Sequence, residues 1–71
     1  MKKSLTEKTI QTYVDYLVDI RVKYGYNQYI EKFKTAMIAA RETHSRTDVM
    51  KLKSAILQRI DIAYRNRFRQ T

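Results

Sequence analysis

The sequence predicts an all-α domain, a small three-helix bundle, and three observations carry that expectation. Apolar residues recur at three- and four-residue spacing from Ile10 onward, which is the helical period rather than the alternation of a strand. No proline occurs to interrupt such a pattern, and the single glycine, Gly25, sits in the turn-like stretch "KYGYNQY". A polar run, "RETHSRTD", makes a second break, so the periodic segments fall at about residues 5–24, 28–42 and 46–68.

The first helix should begin at "SLTE", where Ser4 and Glu7 have the spacing of a capping box and each side chain can satisfy a backbone N–H at the helix start. Ile10, Tyr13, Val14, Leu17, Ile20 and Tyr24 then share a face, with Asp15, Asp19 and Lys23 opposite. Gly25 follows where a left-handed residue commonly closes a helix. The tyrosines beside it read as the walls of that turn, with Tyr24 buried and Tyr26 packed at the start of the next helix.

Asn27 is a natural cap for the second helix, whose inner face is Ile30, Phe33, Met37 and Ala40. Ser45 and Asp48 repeat the capping spacing before the third helix. The run between these helices holds neither Gly nor Pro, so a merger of the two into one long helix is the alternative. The third helix carries two apolar seams. Val49, Leu52, Ile56, Ile60 and Ala63 form one; Met50, Leu57, Tyr64 and Phe68 form another roughly 100° around it. One seam packs inside a monomer. The second, together with Ile62 on the polar back, is surplus, and Met50, Leu57, Ile62, Tyr64 and Phe68 are therefore the expected interface of a homodimer or of a protein partner.

Size limits what the chain can do alone. Its 71 residues make a single domain, 1–71, and a chain this short buries only roughly 60% of the surface its unfolded form exposes. Without cysteine there is neither a disulfide nor a thiolate metal site. The basic start "MKKSLTEKTIQ" has no apolar run behind it, and no segment has the length and apolarity of a membrane span, so the expectation is a soluble, cytoplasmic protein with no membrane partner.

Charge is the strongest global signal. Fifteen Lys and Arg face seven Asp and Glu, a net +8, with an isoelectric point near 10.0. Residues 45–71 hold seven of those cations and two of the acids. A field of this sign favours polyanions such as DNA, RNA or an acidic protein surface. In "RIDIAYRNRFRQT", Arg59, Arg65 and Arg69 project from the outer side of the third helix with Lys51 on the same strip, and Arg67 lies near the tail. Cations spaced along a helix can meet successive phosphates, giving affinity without sequence choice. Tyr16 and Tyr29, expected to be exposed, could stack on bases.

A helix-turn-helix alignment of "TAMIAARETHSRTDVMKLKSAI" places Ala39 where the helices cross and makes Arg46, Thr47, Lys51 and Lys53 groove-facing. It also puts Thr43 where glycine is usual and puts Glu42 and His44 at apolar positions. His44, the lone histidine, reads as a surface or capping residue in the turn, since zinc would need further ligands of the His or Cys type. No hydroxyl has a base and acid at recognisable spacing, the carboxylates are scattered, and no glycine-rich phosphate loop exists, so the chain is read as non-enzymatic and without cofactors.

The favoured reading is a small nucleic-acid-binding regulatory or accessory protein, of the size and composition found in a phage or mobile element. Its phosphate contacts would come from Lys51, Arg59, Arg65, Arg67 and Arg69. The rival is an inhibitor or adaptor that docks an acidic partner surface through the surplus apolar seam.

Overall fold

A computed structural model describes residues 5–69, which form three helices: α1 (Glu7–Tyr24), α2 (Tyr26–Thr43) and α3 (Arg46–Arg69). No strand occurs among the described residues. The three-helix, all-α expectation therefore holds, and α2 and α3 are separate helices.

The helix ends differ in detail from the sequence reading. Ser4, the expected cap of α1, lies outside the described residues. The cap is Thr6, whose Oγ1 accepts from the Thr9 N–H at 3.2 Å, while Glu7 in the first turn complements the positive end of the helix dipole. Gly25 closes α1 by donating its N–H to the Arg21 carbonyl at 3.2 Å and also opens α2, accepting from the Tyr29 N–H at 3.1 Å. One residue thus serves as both cap and connection. Asn27 is consequently not a cap but part of the first turn of α2, which has no side-chain cap. His44, with extended φ −125° and ψ 158°, ends α2, and Ser45 Oγ accepts from the Asp48 N–H at 3.2 Å to start α3 as expected.

The core draws on all three helices. Val14, Leu17 and Val18 of α1 meet Tyr29, Phe33, Met37 and Ala40 of α2 and Val49, Leu52, Ile56 and Ile60 of α3. The first seam of α3 is thus the buried one, flanked by the half-buried Ala63. Two corrections concern aromatics. Tyr24, expected to continue the buried stripe, is 66% exposed. Arg21 stands three and four residues after Val18 and Leu17, so it takes the next place on the inward face, and Tyr24, the last residue of α1, lies beyond the packed part of that stripe. Tyr29, expected in solvent, is only 4% exposed, because α2 starts one residue after Gly25 and turns it inward in step with Phe33. His44 is likewise buried rather than on the surface.

Ion pairs show how α1 lies on α3. Glu7 pairs with Arg59, Arg21 Nη1 meets Asp61 Oδ1 at 3.1 Å, and Arg67 Nη2 meets Asp19 Oδ1 at 2.7 Å. Both ends of α1 are therefore tied to the same 59–67 stretch of α3. Arg59 and Asp61, two positions apart, face roughly opposite flanks of that helix. Hence α1 passes over α3 from one flank to the other.

Gly25 makes the tightest backbone demand. At φ 95° and ψ 177° it occupies not the left-handed helical region but an extended region with positive φ that is essentially restricted to glycine. A Cβ there would touch nothing within 4 Å, so the penalty for an L-residue is conformational alone. Gly25→Ala should lower unfolding free energy by about 1–3 kcal/mol, read from the urea midpoint. Chemical synthesis with D-alanine at position 25, whose preferred φ is positive, should restore stability to at least the glycine level; a D-alanine protein as weak as the L-alanine one would refute the conformational account.

Candidate nucleic-acid interface

The cations singled out in the sequence divide into two groups once the helices are assembled. Arg59 and Arg67 bridge to α1, where Glu7 and Asp19 reach them. They were expected to point at phosphates, and that expectation is corrected: α1 crosses α3 at this level and brings carboxylates against them. Lys51, Arg65 and Arg69 remain exposed on the outer strip of α3, and among the described residues no carboxylate pairs with them. Arg46 and Lys53 are also exposed and unpaired, but they line the side of α3 that faces α2.

The pairing leaves an electrostatic signature. The Arg59 guanidinium donates to Glu7 and holds its carboxyl below the usual carboxylate range, while Glu7 pushes Arg59 up. Asp19 takes both Arg67 and Lys23, the latter at 3.1 Å along its own helix. Three of the carboxylates, Glu7, Asp19 and Asp61, are thus engaged by cations across the α1–α3 contact.

The stacking candidates also separate. Tyr16 is exposed on α1. Tyr29 is removed from the candidate site by its burial: its ring meets Tyr26 edge-on at 5.6 Å and Phe33 at 6.1 Å. Burial pushes its hydroxyl above the ordinary tyrosine range, with Arg21 acting the opposite way. The Arg21 guanidinium lies 5.3 Å from the Tyr26 ring, 5.5 Å from Tyr29 and 4.2 Å from Tyr64. Of the expected apolar interface, Met50, Leu57, Ile62 and Phe68 are exposed, whereas Tyr64 is half-buried under Arg21 and meets the Phe68 ring edge-on at 4.8 Å.

The helix-turn-helix alignment is not realised. Ala39, its crossing residue, is exposed and the neighbouring Ala40 is buried instead. The connection is His44 and Ser45 alone, and no described residue other than Gly25 has positive φ, so the glycine-type turn of that motif is missing. Arg46, Thr47, Lys51 and Lys53 are exposed, but not as one face of a recognition helix: Arg46 and Lys53 turn toward α2 and Lys51 turns away.

What the sequence reading missed is a groove between α2 and α3. One hollow of about 420 Å³ lies at the turn, beside Arg41, His44 and Arg46. An adjoining hollow of about 380 Å³ runs back between Phe33 and Met37 on α2 and Val49 and Met50 on α3. Lys34 and Arg41 on its α2 wall were not singled out. Their signal was in the sequence: Lys34, Ile38 and Arg41 repeat the cation–apolar–cation spacing of Arg46, Met50 and Lys53. Among the described residues, no three His, Asp or Glu side chains come together as a metal site, and no helix is long and apolar enough to cross a membrane. The chain matches no family model, no curated protein sequence and no solved structure, so its function rests on this geometry.

The Glu7–Arg59 pair makes a pH prediction. The folded carboxyl releases its proton more readily than the unfolded one, so the pair stabilises above the ordinary carboxylate range and loses that contribution as pH falls through the lowered folded value. Glu7→Gln should flatten the acid limb of stability, measured as urea midpoints from neutral pH down to about pH 3, with little change in shape above about pH 6. An unchanged acid limb would mean that the pair does not persist in solution.

Proposed function

We propose that this chain is a small, non-enzymatic nucleic-acid-binding accessory protein that contacts phosphates through α3. The observation that carries the reading is the segregation of charge. Glu7, Asp19 and Asp61 are engaged by Arg59, Arg67 and Arg21, and apart from these pairs α3 carries a net +4 and α2 a net +1. Lys51, Arg65 and Arg69 form the contacting strip, with Arg46 and Lys53 at its shoulder. Phosphate contacts of this kind give affinity and register without reading bases. Tyr16 is the remaining aromatic for stacking. Arg59 and Arg67 hold α1 in place and are not part of the strip.

A homodimer belongs to the same reading, with Leu57 and Phe68 as the exposed apolar residues on α3 that a second copy would cover, while Ile62 lies among the cations of the strip. Two strips in one particle reach more phosphates than one. Sedimentation equilibrium should then give twice the 8.6 kDa chain mass, and Leu57→Ser should return it to a monomer. A monomer at high micromolar concentration would remove the dimer from the proposal.

Salt dependence tests the phosphate contacts. Five contacts predict that affinity for a labelled random-sequence DNA duplex falls on the order of 500-fold between about 50 and 200 mM salt, read by fluorescence anisotropy. Lys51→Ala with Arg65→Ala should lower the slope of log K against log salt by about 2, whereas Arg59→Ala, outside the strip, should leave the slope unchanged. Titration of the RNA and single-stranded forms in parallel assigns the preferred nucleic acid. Absence of binding to all of them at the lower salt would overturn the reading.

A further inference from the structure

We propose that the α2–α3 groove is a docking site for an acidic amphipathic helix of a protein partner, a second surface that meets the phosphate-contacting strip at Arg46 and Lys53. The groove has an apolar floor, Phe33, Met37 and Val49, and two exposed apolar walls. Ile38 on α2 is 62% exposed and Met50 on α3 is 66% exposed, and both border the same hollow as the floor residues, making one continuous apolar patch. Each wall has a cation on either side of its apolar residue. Lys34 and Arg41 flank Ile38 on α2, and Arg46 and Lys53 flank Met50 on α3. No carboxylate lines either hollow, and none of these four cations is ion-paired among the described residues.

This arrangement selects its occupant by chemistry. Within each wall the two cations are seven residues apart, a rise of about 10 Å, or two helical turns. A helix with apolar residues at i, i+4 and i+7 would set that stripe on the floor, and carboxylates on its two flanks would meet the cations of both walls. Methionine at Met37 and Met50 lets the surface adapt to different apolar side chains.

Other occupants fit less of the groove. A phosphate backbone would engage the four cations and leave Phe33, Met37, Ile38 and Met50 against water. A second copy offers no acidic helix: on α1, Glu7, Asp15 and Asp19 are balanced by Lys8, Arg21 and Lys23, and α2 and α3 are net basic. The partner is therefore a foreign, acidic helical segment.

The probe is a synthetic, fluorescein-labelled helical peptide of about 20 residues, long enough to hold a helix by itself. It carries Leu at i, i+4, i+7 and i+11 with Glu on both flanks, and its control has the same composition in an order that breaks the stripe. The full-length protein should bind the amphipathic peptide at least about tenfold more tightly than the control, a difference of about 1.4 kcal/mol. Ile38→Ser with Met50→Ser removes only exposed side chains and should abolish that preference while leaving duplex binding intact. Lys34→Glu with Arg41→Glu should weaken the Glu-flanked peptide and strengthen a Lys-flanked version of it.

Equal affinity for the two peptides would overturn the proposal, because attraction would then be charge alone. So would a peptide preference that survives Ile38→Ser with Met50→Ser, a loss of duplex binding in that variant, or a self-association of the free protein that the same variant dissolves. Lys51→Ala with Arg65→Ala should leave peptide affinity unchanged, so failure of the nucleic-acid reading and failure of this one are told apart.

Discussion

Arg21 is the polar side chain of α1 that touches both other helices. Its guanidinium sits among the rings of Tyr26 and Tyr29 from α2 and Tyr64 from α3 and pairs with Asp61 of α3, so one residue of α1 joins both other helices. A planar, weakly hydrated cation suits this place, since it can face aromatic rings and still direct N–H groups at a carboxylate. Lysine, a compact and strongly hydrated point charge, could not do both. The position also continues the inward stripe of Leu17 and Val18, so the clamp caps the apolar core where α1 ends and the chain reverses through Gly25. The turn, the burial of Tyr29 and the pairing of Asp61 are consequences of the same local arrangement.

That arrangement sorts the charges of the whole molecule. With α1 passing over the 59–67 stretch of α3, its carboxylates Glu7 and Asp19 meet Arg59 and Arg67 while Asp61 returns the contact to Arg21. Exposed pairs of this sort contribute little stability individually. Their larger effect is on the field: by occupying Arg21, Arg59 and Arg67 they leave Lys51 and Arg65 on the outer strip of α3, and Lys34, Arg41, Arg46 and Lys53 along the α2–α3 groove, without an ion pair among the described residues. A basic protein with evenly mixed charges would attract polyanions weakly from all directions. Here the excess has a direction, and clustering of one sign on one side is what raises encounter rates and orients a polyanionic partner. The groove also carries exposed Ile38 and Met50, an association of apolar and cationic groups that a purely phosphate-binding surface does not need.

The helical segments were legible because their physics is local. The three- and four-residue spacing of Val14, Leu17, Phe33, Met37, Leu52 and Ile56 identifies a buried face wherever the helix is finally placed. Ser45 could be read as a cap because its target, the Asp48 N–H, is three residues away. The first seam of α3 was recognisable as core and the second as exposed, since a chain of this size has one interior to fill. Tyr24 and Tyr29 were misplaced for a complementary reason. Their burial turns on whether a helix restarts one or three residues after Gly25, and a shift of two residues rotates a side chain by about 200°.

By itself, then, the sequence determined the all-α class, the three helices, most of the core and the sign of the field, all of which follow from composition and short-range periodicity. Only the tertiary structure decided which cations stay free. Arg59 and Arg65 look alike along the chain, yet one meets Glu7, fifty-two residues away, and the other meets none of the described carboxylates. The α2–α3 groove was decided at the same level, because Lys34 and Ile38 become neighbours of Met50 and Lys53 only after His44 and Ser45 turn the chain back. Ion pairing and surface concavity depend on how helices cross, and the crossing is set by the packing of all three at once.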